Sequence, residues 1–293
     1  MSTFDLAQLE NLIEELESKE GAARDEFLVD LIAKSPELYG EMLKLSDPTA
    51  VTYLEAMSNK LSTVFGATES LEGTSINQYK IESTIGEGGM GVVYRAIDTK
   101  LDRYVALKFL PSRLSRNDEV HERFRREARA AARLDHANIC SIYEIGETVD
   151  GRPFIAMALY DGHTVRELLS EGPLSHDDVR SIVMQTAKGL QAAHEQGLVH
   201  RDIKPENLFV TNKGVVKILD FGIAHVGDEQ TITNTGSVLG TVNYMSPEQA
   251  RGEAVDKRSD LWALGVVTYE LLAGRAPFSA DYAQATLYLI LNE

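Results

Sequence analysis

The stretch His200-Arg201-Asp202-Ile203-Lys204-Pro205-Glu206-Asn207, followed thirteen residues later by Asp220-Phe221-Gly222, constrains this chain more than any other feature. It places a carboxylate, a lysine, an amide and a second carboxylate on two short loops. Such groups orient a hydroxyl and hold a hard divalent cation beside phosphate oxygens. A His-Arg-Asp triplet alone says little, because many loops carry one. The ordered set says more, and only a fold that brings the two loops together can use it.

Upstream, Gly86-Glu87-Gly88-Gly89-Met90-Gly91-Val92-Val93 reads G-x-G-x-x-G-x-V. In a dinucleotide-binding βαβ unit such glycines lie between a strand and a helix. Here Val92-Val93-Tyr94-Arg95-Ala96-Ile97 comes next, and β-branched and aromatic residues read as a strand. Strand, glycine turn and strand make a hairpin flap whose backbone can lie against phosphates, because Cβ atoms are missing. An ordinary glycine-rich hairpin is the plainer reading of this motif by itself. A further strand is expected at Val105-Ala106-Leu107-Lys108, with its lysine 17 residues after Gly91. Glu119 to Leu134 is rich in Ala, Arg and Glu and is expected to be helical, with Phe124, Ala128, Ala131 and Ala132 on its apolar face. Glu127 lies within a turn of that face. Arg123, Arg125, Arg126, Arg129 and Arg133 read as a solvated face. Leu261, Leu264, Val267 and Leu271 recur at helical spacing, Trp262 reads as core, and Gly274 with Pro277 marks the helix stop.

A chain of 293 residues allows one large domain or a domain with an appendage, and an apolar fraction of 43% supplies a core. No apolar run reaches the ~20 residues that a membrane helix needs. The start, Met1-Ser2-Thr3-Phe4-Asp5, lacks the basic-then-apolar pattern of a signal peptide. The single cysteine, Cys140, excludes an internal disulfide and fits a reducing cytoplasm. It lies in the strand-like Ile139-Cys140-Ser141-Ile142-Tyr143 and reads as a small buried hydrophobe. The net charge is −16, and residues 1–79 hold 15 acidic against 5 basic side chains. This balance argues against nucleic acid as a partner, since phosphate contacts need clustered Lys and Arg.

Residues 1–66 read as a separate acidic helical unit. Its apolar positions are Leu6, Leu9, Ile13 and Leu16; Phe27, Leu28, Leu31 and Ile32; Leu38, Met42 and Leu45; and Val51, Leu54, Met57 and Leu61. Residues 67–78 read as a linker. Two readings of the helical unit stay open: a bundle packed on the main body of the chain, or a module for a docking partner or a homodimer.

From about Tyr79 onward the chain resembles the eukaryotic-like (Hanks-type) protein serine/threonine kinases of bacteria, over roughly 215 of 293 residues. The resemblance implies an α+β, two-lobed fold. An antiparallel five-stranded small lobe with one main helix would span 79–159, and a mostly helical large lobe 160–293. It implies ATP with Mg2+, or Mn2+ in its place, protein substrates, and a cytoplasmic site of action. In such a kinase Ile85, Gly86, Glu87, Gly88, Gly89, Met90, Gly91, Val92 and Val93 would cover ATP. Lys108 would hold the α- and β-phosphates, paired with Glu127. Met157 would be the gatekeeper of the strand Phe154 to Leu159, with the backbone of Ala158 and Leu159 bonding adenine. The family usually has Glu where Ala158 stands. Val93, Ala106 and Phe209 would sandwich the adenine.

By the same resemblance Asp202 would accept the substrate hydroxyl proton, Lys204 would touch the γ-phosphate and Thr241 would contact the catalytic loop. Asn207 and Asp220 would ligate magnesium. His200 would stack beneath the loop against Phe221, His136 would stabilise a turn, and Asp260 would hold the loop backbone. The activation segment, Asp220 to Glu248, contains Thr231, Thr233, Thr235 and Ser237. Autophosphorylation at Thr233 or Thr235 is expected, with Arg201 gripping the phosphate.

The chain departs from the family at its end. Glu293 comes after a helix-like Tyr282 to Leu291, where complete kinases of this kind continue. The missing helices carry an arginine that pairs with the glutamate found here at 248. Glu248 is therefore expected to lack its usual partner, and apolar surface to be exposed. A fragment of a longer product and a truncated variant both fit, and a membrane anchor beyond residue 293 stays open. The alternative function is a catalytically impaired nucleotide-binding or scaffolding protein. A small-molecule phosphotransferase is disfavoured by Thr241 and Ser246-Pro247-Glu248. The acidic N-terminal unit weakly resembles helical extensions ahead of some bacterial kinases.

Overall fold

Gly91–Asp98 shows why the chain builds a sheet: Tyr94, Ala96 and Asp98 are buried while their neighbours are less so, the period of two of a strand. The structure, a computed structural model, describes residues 71–88, 91–109, 118–149, 151–221, 242–280 and 282–293. The expected N-terminal helices, Gly89, Met90, Gly222, Thr231, Thr233, Thr235, Ser237 and Thr241 lie outside the described residues.

Among the described residues the small lobe is an antiparallel sheet of six strands. They are β1 (Ser75–Ile76), β2 (Tyr79–Gly88), β3 (Gly91–Asp98), β4 (Arg103–Phe109), β5 (Ile142–Glu147) and β6 (Pro153–Ala158), in spatial order β1-β2-β3-β4-β6-β5. The resemblance implied five. The extra strand comes from residues 75–76, inside the span expected to be a linker, where Ile76 pairs with Tyr79 and packs on the core. Cys140 lies just before β5 rather than within it, and is buried as expected.

Register divides the sheet into two faces. Val93 stands opposite Lys108, Ala106 opposite Met157, and Lys108 opposite Ile155, so these five side chains share one face. The other face carries Tyr94, Val105, Leu107, Phe109 and Phe154, whose rings meet at centroid distances of 5.6–5.7 Å. Both faces of β4 are therefore covered, which puts Lys108 at 5% exposure. Helix α1 (Asp118–Ala131) lays Phe124 and Ala128 against Ile155. Ala132, expected on this apolar face, lies past the helix end and is exposed.

The large lobe runs in the order β7 (Gly162–Thr164), α2 (Val165–Glu171), α3 (His176–Glu195), a 3₁₀ turn (Pro205–Asn207), β8 (Leu208–Thr211), β9 (Val216–Ile218), α4 (Pro247–Ala250), α5 (Lys257–Ala273) and α6 (Ala283–Asn292). Ser175 caps α3 and Asp256 caps α5. Gly274 ends α5 at φ 71°, the left-handed conformation that a missing Cβ makes cheap. Leu264, Val267 and Leu271 are buried where α5 packs on α3, but Leu261 is 55% exposed. The apolar stripe is one residue narrower than its spacing suggested. Trp262 is partly buried and stacks on Phe278. Among the described residues no helix is long and apolar enough to cross a membrane.

One glycine is irreplaceable on geometry. Gly162 has φ 149°, and a Cβ there would lie 2.1 Å from the Val210 carbonyl oxygen. That contact involves backbone of the paired strand β8, which cannot rotate away. Gly162→Ala is expected to lower the unfolding free energy by more than about 3 kcal/mol, combining backbone strain and a steric clash. Urea titration checks this; a loss below about 1 kcal/mol would mean that β7 relaxes at little cost.

Candidate active site

The loop before the 3₁₀ turn is held from beneath by one buried carboxylate. Asp260, at 1% exposure, accepts from the backbone N–H of His200 at 2.8 Å and of Arg201 at 2.7 Å. His194 Nε2 donates to the same carboxylate at 2.7 Å. These bonds hold Arg201 at φ 68°, a conformation costly for a side chain of its size. Asp220, on the second loop, is held at φ 58°. Two such residues flanking a cluster of charged groups are the kind of stored strain that marks functional sites.

Asp202, Lys204 and Asn207 come together in this loop. Asn207 Nδ2 donates to both the backbone oxygen and Oδ2 of Asp202, each at 2.8 Å, and Lys204 Nζ lies 2.9 Å from the same Oδ2. All three side chains are buried. Both side-chain bonds fall on Oδ2, so Oδ1 is the oxygen that Asp202 can present to an incoming hydroxyl.

His200 is fully buried, and its ring meets Phe221 edge-on at 4.7 Å. The Leu219 carbonyl can only accept, so Nε2 carries the proton in that 2.8 Å contact. Nδ1 in turn accepts from the backbone N–H of Asp202 at 3.2 Å. The ring is therefore a neutral imidazole that links the two loops. Burial pushes its pKa below the usual value, outweighing the upward pull of Asp260. A depressed histidine pKa stabilises the fold above the unfolded pKa of about 6.5, and that contribution is lost as pH falls below it. Denaturant titrations are expected to show stability falling from about pH 7 to about pH 5, with a shallower fall in His200→Asn. Equal slopes would remove this role.

The two lobes are joined by an ion pair. Lys108 Nζ lies 2.8 Å from Asp220 Oδ2, while Glu127 on α1 lies 3.8 Å from Arg201. The expected pairing of Lys108 with Glu127 is thus replaced by two cross-pairs. The physical reason is proximity within a dry cleft: a buried ammonium takes the nearest carboxylate, and here that is Asp220. Asp220 Oδ1 is buried with no hydrogen-bond partner. An orphaned carboxylate oxygen fits a hard divalent cation, and Asn207 can add its amide oxygen because its nitrogen is already committed to Asp202.

At the hinge, Ala158 donates its N–H to the Ser141 oxygen at 2.9 Å. Of the two backbone groups of Ala158, the carbonyl, which the Cys140 thiol approaches at 3.9 Å, is the one not engaged by Ser141. Burial, reinforced by Asp220, pushes the Cys140 thiol up to about 12, so it stays protonated and unreactive. Leu159 comes directly after β6, and Phe209 on β8 lies 6.4 Å from the Tyr160 ring. Ile85, at 49% exposure, Gly86, Glu87 and Gly88 lie on β2, and Gly91, Val92 and Val93 on β3, with Gly88 opposite Gly91.

Glu248 is not left uncompensated. It is only partly buried and accepts from the Ser259 hydroxyl. Burial raises its pKa, but Ser259, the backbone and Ser246 together bring it below the usual carboxylate value. Sequence reasoning also overlooked Arg166, which bonds Glu206, Glu270 and Tyr244. No local pattern marks it, because its partners are 40, 104 and 78 residues away.

Fold and site together define the two-lobed architecture of the protein kinase class. The family model described as protein kinase domain matches residues 79–293, and the chain belongs to that family, in its bacterial Hanks-type branch. Serine/threonine-protein kinase PknL of Mycobacterium tuberculosis is 44% identical over 230 residues, covering 78% of this chain and 57% of PknL. Serine/threonine-protein kinase PrkC of Bacillus subtilis is 46% identical over 207 residues, covering 70% of this chain and 32% of PrkC. The chain thus spans from about a third to just over half of the length of these relatives. The crystal structure of the Mycobacterium tuberculosis PknI kinase domain superposes with a TM-score of 0.59 at 32% identity, over 71% of this chain and 79% of that one.

Proposed function

We propose that residues 79–293 transfer the γ-phosphoryl group of ATP to serine or threonine hydroxyls of proteins, with residues 1–66 a separate helical unit and 67–78 leading into the sheet. The observation that carries this reading is the Asp202–Lys204–Asn207 cluster, bonded through a single carboxylate oxygen. Asp202 Oδ1 orients the substrate hydroxyl and takes its proton as the new O–P bond forms and the bond from the γ-phosphorus to the β–γ bridging oxygen breaks, with ADP as the leaving group. The transition state is loose, so placing the nucleophile counts for more than basicity. Lys204 offsets charge on the transferring group. Lys108 turns from Asp220 to the nucleotide phosphates, and Glu127 from Arg201 to Lys108.

Asn207 and Asp220 would hold Mg2+ or Mn2+, which neutralises phosphate charge when bound. The flap at 85–93 covers the phosphates. Val93 and Ala106, on the sheet face they share with Lys108 and Met157, sandwich adenine with Phe209. Thr241 steadies the loop, and Thr233 or Thr235 becomes phosphorylated and draws Arg201. The relatives' names, serine/threonine-protein kinase, support the substrate class.

Incubation with Mg2+, γ-labelled ATP and a generic protein substrate tests the reading. Label on serine or threonine is expected, and mass spectrometry should place autophosphorylation within residues 225–241. Label confined to other residues would remove the activation-segment part alone.

A further inference from the structure

We propose that Arg166 is a positioning residue, clamping the catalytic-loop turn to the segment that begins after residue 241 and so setting how a protein substrate meets Asp202. The inference deepens the kinase reading and rests on it. Arg166 sits in the first turn of α2, whose start is fixed by a capping box. The Thr164 hydroxyl accepts from the Glu167 N–H, and the Glu167 carboxylate accepts from the Thr164 N–H. From this anchored position one guanidinium reaches three elements. Nε donates to Glu206 at 2.7 Å, in the turn that contains Asn207. Nη1 donates to Glu270 of α5 at 2.8 Å, and Nη2 to the Tyr244 hydroxyl at 2.5 Å. Tyr244 then donates to the second oxygen of Glu270 at 2.6 Å. Burial and the neighbouring Glu270 hold the Tyr244 pKa far above its usual value, so this hydroxyl remains a donor.

The same helix thereby holds the catalytic loop at both ends. Asp260 of α5 bonds residues 200 and 201 directly, and Glu270 of α5 holds Glu206 through Arg166. Asp202 lies between the two attachments. A planar guanidinium spreads its donors over three nitrogens and so reaches three separated acceptors, whereas a lysine offers its three donors from a single nitrogen. Of the groups assigned to the nucleotide, Val93, Ala106, Lys108 and Met157 are on the other lobe's sheet, outside this network, and only those around Asn207 border it.

Arg166→Met in the full chain is expected to lower kcat/KM for a protein substrate by at least about tenfold, the equivalent of one charge-assisted hydrogen bond. The KM for ATP should change several-fold less than that, because Val93, Ala106, Lys108 and Met157 lie on the other lobe's sheet. Arg166→Lys should recover part of the loss. Hydrogen exchange read on the same variants needs no turnover, and Arg166→Met should speed it together at residues 203–208 and 242–246, leaving 176–195 unchanged. Exchange unaltered in either segment would overturn the clamp, as would an ATP KM rising in step with the substrate term. Absence of phosphoryl transfer by the unaltered chain would instead sink the kinase reading, while exchange still decides the clamp.

Discussion

Asp202→Asn will leave nucleotide binding intact and cut phosphoryl transfer by about 10²–10⁴-fold, the range that a positioned base contributes. The asymmetry of the site is the reason. Oδ2 is occupied by Lys204 and Asn207, and an amide can keep a bond to Lys204 through its oxygen. The atom then facing the hydroxyl is an NH2 group, which donates and cannot take a proton. Steady-state assays with a protein substrate, beside calorimetric titration of Mg-ATP, separate the two effects. Turnover equal to that of the parent would remove Asp202 from the chemistry.

Asp220→Asn is expected to act on binding and stability together. It replaces the orphaned carboxylate oxygen that suits a cation, so the metal-dependent part of ATP affinity should disappear. It also strips Lys108, 5% exposed, of the carboxylate 2.8 Å away. An ammonium left alone in a dry cleft costs about 3 kcal/mol. Adding Lys108→Met should restore most of that stability, by removing the stranded charge, without restoring ATP binding. Thermal unfolding and calorimetry on the single and double variants read these outcomes. Stability unchanged in Asp220→Asn would show that the ion pair contributes nothing net.

Several elements were legible because their causes are local. The alternation of Val92 to Ile97 reflects the two-residue period of a pleated strand, and α1 carries Phe124 and Ala128 one turn apart. Gly274 stops α5 because it can adopt a positive φ. Exposure was harder to read. Leu261 repeats at the spacing of Leu264 but points to solvent, because spacing defines a stripe and only the neighbouring helix defines its width. Residues 75–76 looked like connector, since a two-residue strand leaves no periodicity to detect.

By itself, then, the sequence determined the chemistry available: which groups could bear phosphate, cation and proton, and that two loops and a glycine flap would carry them. Those depend on residue type and short spacing. Tertiary structure alone decided the partners. It set Lys108 on Asp220, Glu127 on Arg201, Glu248 on Ser259 and Arg166 among three elements. Ion pairs across a fold depend on distances of a few ångströms between segments far apart in the chain, and no local pattern encodes such distances.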